Sequence, residues 1–315
     1  MSKSLTLVLS SIALFVIPSL VIARGHFCSR TTYEAFQVLD LYVGYVSNGG
    51  STDFFLSAEG NGIGGDAERS YECTPMSTLY VGSDLKMDLG NLVTARFSGR
   101  LTVPVEYDFR SDNFDPASML IGGRSFTGST TWGTAEGVLN YSVGSFGAAL
   151  IGFRWDNWQT TFKKPKNVSP GFVGSSKTDS GVIAINCYMP FAGLLTSYDG
   201  FSLGVMGTPW FPGDFEFVES RNGSGNIRYD RARGCFNRGT FVEIFSDYNV
   251  TAQGTGEGDV SLSLFSKVNF LEVYSNVTLT RKGNFLSSDL FNCKFRRIMY
   301  IIGGKITVNF TLSNI

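Results

Sequence analysis

A single histidine, His26, occurs among 315 residues. That scarcity removes most of the base, proton-relay and metal-ligand chemistry that imidazole provides near neutral pH. Only 17% of residues are charged and the formal net charge is −1, which leaves no electrostatic argument for a nucleic-acid partner. Beyond the N-terminal segment no stretch holds 18 consecutive apolar residues, so no further membrane-spanning helix is available. Long runs with apolar residues at i, i+3, i+4 and i+7 between capping signals are also missing. The five cysteines, Cys28, Cys73, Cys187, Cys235 and Cys293, match no zinc or CxxC spacing. An exported chain could oxidise them, and their odd number leaves at least one thiol unpaired within the chain.

What is present begins with an address. Lys3 precedes a mainly apolar run over residues 5–21, broken by Ser10, Ser11, Pro18 and Ser19 besides Thr6, and the run passes into Val21-Ile22-Ala23. This pattern predicts a secretory signal peptide over residues 1–23 and one mature domain over 24–315. In that domain glycine and phenylalanine are abundant, at 37 and 27 in the whole chain, and alternation is pervasive. From Val93 the odd positions read Val, Ala, Phe, Gly, Leu, Val, while the even ones include Arg96 and Arg100. Ala149, Ile151, Phe153 and Trp155 alternate with Arg154 and Asp156, and Ile306, Val308 and Phe310 alternate with Lys305, Thr307 and Asn309. Side chains alternate across a strand, so each segment has one face for lipid and one for a polar interior.

A soluble sandwich alternates too, and the connections decide between them. Short links fall near 88–91, 142–145, 197–200 and 251–256. Longer polar links fall over 47–77, 110–123, 163–179, 218–234 and 274–292. Strict alternation of long and short is expected of an up-and-down transmembrane barrel with short periplasmic turns and long outer loops. Ten strands are predicted: 36–46, 77–87, 92–109, 124–141, 146–162, 180–196, 201–217, 235–250, 257–273 and 293–313. Twelve would result if 47–65 or 276–281 hid another hairpin. Many candidates exceed the about 9–11 tilted residues needed to cross the hydrocarbon. Tyr141, Phe146, Tyr198, Phe201 and Tyr248 cluster beside the short turns, as an interfacial belt would.

Thr131-Trp132-Gly133-Thr134-Ala135-Glu136-Gly137, Gly152-Phe153-Arg154-Trp155-Asp156 and the closing run from Ile302 to Phe310 resemble uncharacterised, porin-like outer-membrane barrel proteins of Gram-negative bacteria. The resemblance covers most of the mature chain and implies an outer-membrane location, with membrane lipid and the barrel-assembly machinery as partners. Such proteins often end on an aromatic residue, whereas this chain ends Leu312-Ser313-Asn314-Ile315.

Outer-membrane enzymes such as phospholipases, lipid A deacylases, palmitoyl transferases and omptin proteases use a histidine as base or as its partner, and His26 lies at the start of the mature chain. Gly-x-Ser-x-Gly, P-loop and His-Glu-x-x-His sequences are absent. Gly60–Asp66 and Gly254–Asp259 read as loops, and the sequons at Asn140, Asn222, Asn249, Asn276 and Asn309 as chance. No catalytic, cofactor or metal site is therefore expected. The candidate lumen-lining residues are Arg96, Arg100, Glu136, Arg154, Asp156, Glu243, Asp247, Lys267 and Lys305. They could form a lattice of ion pairs, a selective lumen or, least in keeping with the pattern, a paired-carboxylate site. Ten strands fall between filled eight-stranded barrels and open sixteen-stranded porins. The expectation is a narrow channel for small solutes or ions. Its alternative is a closed structural or surface-binding barrel acting through its outer loops.

Overall fold

In the computed structural model, residues 36–47, 52–57, 68–73, 77–90, 92–114, 120–144, 147–168, 176–223, 226–236, 238–250, 260–282 and 286–311 are described, and they hold strands, turns and short irregular breaks, with no helix among them. The strands are β1 (Phe36–Ser47), β2 (Thr52–Ser57), β3 (Glu68–Cys73), β4 (Ser77–Gly90), β5 (Val93–Thr102), β6 (Val105–Phe114), β7 (Leu120–Val143) and β8 (Gly147–Val168). They continue with β9 (Ser176–Tyr198), β10 (Phe201–Thr208), β11 (Gly213–Gly223), β12 (Asn226–Phe236), β13 (Arg238–Asn249), β14 (Val260–Lys282) and β15 (Leu286–Thr311).

Pairing closes the wall. The order β1-β4-β5-β7-β8-β9-β10-β13-β14-β15 returns to β1 through the β15–β1 ladder, every pair antiparallel. The ring therefore has ten strands, and closure removes the unpaired edges that a hydrocarbon environment penalises. Farther from the short turns β2 and β3 form a hairpin that pairs with β15 on one side and β6 on the other. They carry β1 and β4 upward, so the extra hairpin in the first long link heightens the wall without widening it. Residues 276–281, the other candidate for a hidden hairpin, lie within β14.

The breaks in the wall have local causes. Val103-Pro104 separates β5 from β6, and Pro209-Trp210-Phe211-Pro212 separates β10 from β11. Proline brings no N–H to a ladder. At the second break Thr208 Oγ1 donates to the Trp210 carbonyl at 2.7 Å, and the Tyr188 N–H resumes the ladder on the Pro212 carbonyl at 3.0 Å. The tight turn between β9 and β10 is Asp199-Gly200, with φ of 48° and 76°. Two left-handed residues are what a two-residue hairpin of right-twisted strands requires.

Outward positions are apolar over a limited height. Phe97, Ile151, Leu194 and Ile302 are all exposed, at 48%, 63%, 65% and 60%. On β9 the exposed aromatics Tyr198 and Tyr188 stand ten residues apart, which at a tilt of roughly 40° corresponds to about 25 Å of height, the usual apolar band. Tyr141, Phe201 and Tyr248 share the lower edge, and Tyr45, Trp210 and Tyr300 lie near the upper one. Phe146 falls outside the described residues, as do residues 1–35 and the link 251–256.

The outer links differ from expectation. Strand extends through most of them, and the remainder of each link lies outside the described residues. Above the bilayer the outward face meets water, so Arg231 and Arg233, which pair with Glu216, read as loop chemistry. The inward face of the same strands is largely apolar, with Phe215, Phe217 and Ala232 buried and Glu219 buried on the same face of β11. The upper interior is a core of such side chains, including Trp158, Phe162, Phe211, Phe236 and Phe295.

Candidate functional site

The middle of the barrel is crossed by charge. On β8 Arg154 and Asp156 point inward, because Phe153 and Trp155 take the outer face. Arg154 Nε donates to Glu136 Oε2 of β7 at 2.7 Å. Its two terminal nitrogens donate to the Glu243 carboxylate of β13 at 2.8 and 3.1 Å. Glu136 also accepts from Arg96 NH2 at 2.9 Å, with Arg100 NH1 at 3.6 Å. Glu243 accepts from Asn269 Nδ2 of β14 at 3.1 Å, and Asn269 in turn accepts from Arg297 NH2 of β15 at 3.2 Å.

Arg297 completes the crossing. Both its terminal nitrogens donate to Asp156 at 2.9 Å, and Trp132 Nε1 donates to the same carboxylate at 2.9 Å. In the ring of ten, β15 lies five strands from β8 in either direction, so this pair spans the barrel's diameter. The Arg297 guanidinium sits 5.4 Å from the Trp132 ring and 5.2 Å from the Trp158 ring. Arg154 lies 4.7 Å from the Phe241 ring. Arg154, Asp156, Arg297 and both tryptophans are almost wholly buried. Bidentate pairing and cation–π contact suit a planar guanidinium removed from water.

Toward the short turns the lattice becomes wetter. Arg100 Nε donates to Tyr42 Oη at 3.1 Å, and Tyr42 donates to Asp84. Lys267 lies 5.9 Å from both the Tyr42 and Phe265 rings. Lys86 pairs with Asp40 at 2.7 Å, and Lys305 with Asp247 and, at 3.8 Å, with Asp40. The Lys86 and Asp247 side chains keep 31% and 28% exposure, so this lower end is a charged vestibule.

The structure thus gathers the nine predicted residues in two connected places. Arg96, Arg100, Glu136, Arg154, Asp156 and Glu243 belong to the central lattice. Asp247 and Lys305 pair in the vestibule, with Lys267 between the two. Sequence reasoning missed Arg297, Asn269, Asp84, Asp40 and Lys86. Arg297 was legible in principle: it stands an even number of residues before Lys305 on one strand, hence on the same face. Its neighbour Arg296 obscured that signal.

The carboxylates of the central lattice are committed as acceptors to guanidinium, amide and indole donors, an arrangement that fixes side chains in place. Cys187 and Cys293 are free, buried thiols, while Cys235 is free and exposed and donates from Sγ to Asp214 at 3.3 Å. The Cys28 and Cys73 side chains lie outside the described residues, as do His26 and the two glycine-rich loops.

No protein-family model matches the chain, and no curated protein matches it. Among solved structures it is similar to the outer membrane protease OmpT from Escherichia coli, with a TM-score of 0.65 and 10% identity over 90% of this chain and 99% of that one. The translocator domain of the autotransporter NalP from Neisseria meningitidis also matches, with a TM-score of 0.32 and 10% identity over 95% of this chain and 96% of that one. The P. putida toluene transporter TodX gives a TM-score of 0.27 and 11% identity over 89% and 91%. At such identity the OmpT likeness shows the fold alone: this chain is a β-barrel of the bacterial outer-membrane type.

Proposed function

We propose that the protein is a self-plugged outer-membrane barrel that acts through the tall wall and connections beyond the bilayer, not by conducting solute and not as an enzyme. The observation that carries this reading is the Arg297–Asp156 pair across the diameter, tied through Asn269 and Glu243 to Arg154. A solute passing through would have to break several charge-assisted hydrogen bonds in a water-poor interior, and then displace the aromatic core above them. OmpT is a protease, but here the one histidine, His26, precedes β1 in sequence, and the carboxylates of the lattice and vestibule are held by arginines and lysines.

A second reading, a narrow ion path, is favoured by the partly exposed charges of the vestibule, Lys86 and Asp247. Conduction would then require the lattice to part transiently. Planar-bilayer recording of the folded, full-length protein separates the two. The plugged reading expects a silent bilayer under a steady potential. Repeated discrete current steps would overturn it, and a shift toward cation preference on replacing Arg96 and Arg100 by serine would place those steps in this lumen.

A further inference from the structure

Lys267 stands apart from the other charges of the lumen. Each guanidinium of the central lattice has a carboxylate within ion-pair distance: Arg96, Arg100 and Arg154 at Glu136, and Arg297 at Asp156. The Lys267 ammonium has none, and its close neighbours are the Tyr42 and Phe265 rings, each centred 5.9 Å away. Glu243, Asp84 and Glu136 act on it from farther off, and all three are already held by arginines. The charges of this layer do not cancel. Arg96, Arg100, Arg154, Arg297 and Lys267 face Asp84, Glu136, Asp156 and Glu243, which leaves one positive charge over. Below it the vestibule balances, Lys86 and Lys305 against Asp40 and Asp247. Asp88 lies in the exposed turn, where Thr94 Oγ1 donates to it at 3.1 Å. Donors are in excess as well as charge. Among the described residues, Arg96 Nε and the Ser98, Thr134 and Tyr80 hydroxyls are buried and have no acceptor.

We infer that Lys267 anchors a binding site for one small monovalent anion of the chloride type, entered from the vestibule and closed above by the lattice. Charge is the first reason. The strands around this layer turn apolar side chains such as Phe97, Leu264 and Ile302 outward, so the surroundings are poor in water and an uncompensated charge is costly there. Water solvates an ammonium without cancelling its charge, whereas an anion does both. Placement is the second reason. Ser98 is paired in register with Asp84 on one side and Glu136 on the other, two of the acids that act on Lys267, so hydroxyl and ammonium border the same space. Arg96 is the next residue on that face of β5 toward the vestibule. Donors converging from β5 and β14 suit a spherical acceptor that takes several hydrogen bonds at once. Access comes from the short-turn end, where Lys86 and Asp247 keep their exposure. The stacked Tyr80 and Trp132 rings, with centroids 5.7 Å apart, close the other end. The site rests on the plugged reading only for that closed top.

The test takes the folded, full-length protein in detergent, with bromide as the probe. Crystals soaked in sodium bromide are expected to show an anomalous peak beside the Lys267 ammonium, and crystals of Lys267→Met to lack it. That substitution removes a cation with no carboxylate of its own, so it orphans no acid and the barrel is expected to fold. In solution the heat-modification midpoint should rise with bromide when gluconate holds the ionic strength constant, because a ligand bound only by the folded state stabilises it. Lys267→Met is expected to weaken the apparent bromide affinity by about tenfold or more, the loss of one charge-assisted hydrogen bond. Ser98→Ala keeps the charge and is the second variant, expected to weaken it by a smaller factor. Bromide confined to exposed lysines, or equally present in the Lys267→Met lumen, would be an adventitious ion only and would overturn the site. A bromide dependence identical in the parent and both variants would do the same. Conductance is read separately: discrete current steps in a protein that keeps the lumenal bromide peak would strike the plug and leave the anion site standing.

Discussion

Arg297 shows how much one side chain can decide in this protein. It is wholly buried, it meets Asp156 through two hydrogen bonds, and it lies between two tryptophan rings. Removing one member of a buried ion pair leaves the other charge uncompensated, a loss of about 3–5 kcal/mol, whereas replacing both by apolar groups of similar volume is often neutral or better. Arg297→Met is therefore expected to destabilise the folded barrel by about that amount, and Arg297→Met with Asp156→Leu to recover most of it. A denaturant refolding titration of the two single variants and the double variant measures the coupling. Strictly additive effects would mean that the pair does not hold the plug. The predicted lumenal residues were legible because each alternates with an apolar neighbour; their partners were not, because pairing across a barrel depends on ring order and not on local pattern.

Among the elements, the β11–β12 hairpin departs most from what its composition suggests. Residues 218–234 are polar enough to read as a loop, yet they pair from Gly213↔Phe236 to Gly223↔Asn226. Outside the bilayer, Glu216 Oε1 accepts from Arg233 Nε at 2.7 Å and from Arg231 NH2 at 3.1 Å. The Arg233 hydrogen bond, opposed by slight burial and aided by Arg231, holds the Glu216 carboxyl below its ordinary value. A carboxyl lowered in the folded state stabilises at pH above its unfolded value, and the contribution fades as pH falls through the folded one. The pair is exposed, so the effect is local and small. Amide exchange in β11 and β12 is expected to quicken on acidification through that range, and Glu216→Gln to show the quicker exchange already at neutral pH. Acid-insensitive exchange in this hairpin, with Glu216→Gln matching the parent, would show that these contacts do not hold it. The strand here was hidden because an outward face above the bilayer is polar, which removes the apolar half of the alternation that identifies strands lower down.

For the whole molecule, closure is the dominant property. Every neighbouring pair in the ring is hydrogen-bonded, including the β1–β15 seam that joins the two ends of the chain from Phe36↔Thr311 to Ser47↔Tyr300. A closed ladder offers detergent no edge from which to unzip. The folded protein is therefore expected to run faster than its heated form on a detergent gel, with circular dichroism dominated by strand. Identical migration before and after heating, together with a helical spectrum, would rule out the closed barrel.

Chemistry spaced at two residues was enough to determine the all-β class, a count of ten strands with twelve still open, and an apolar and a polar side on the clearly alternating segments. Gly and Asp-Gly at the short turns added the hairpin ends, since few other residues accept left-handed backbone there. Only the tertiary structure decided the rest. Whether inward charges line a path or close it depends on which strands face one another across the lumen, and β8 opposite β15 brings Asp156 to Arg297. The height of the wall likewise depended on side chains meeting overhead, where buried Phe215, Phe217 and Phe236 hold together strands whose outer faces look like loop.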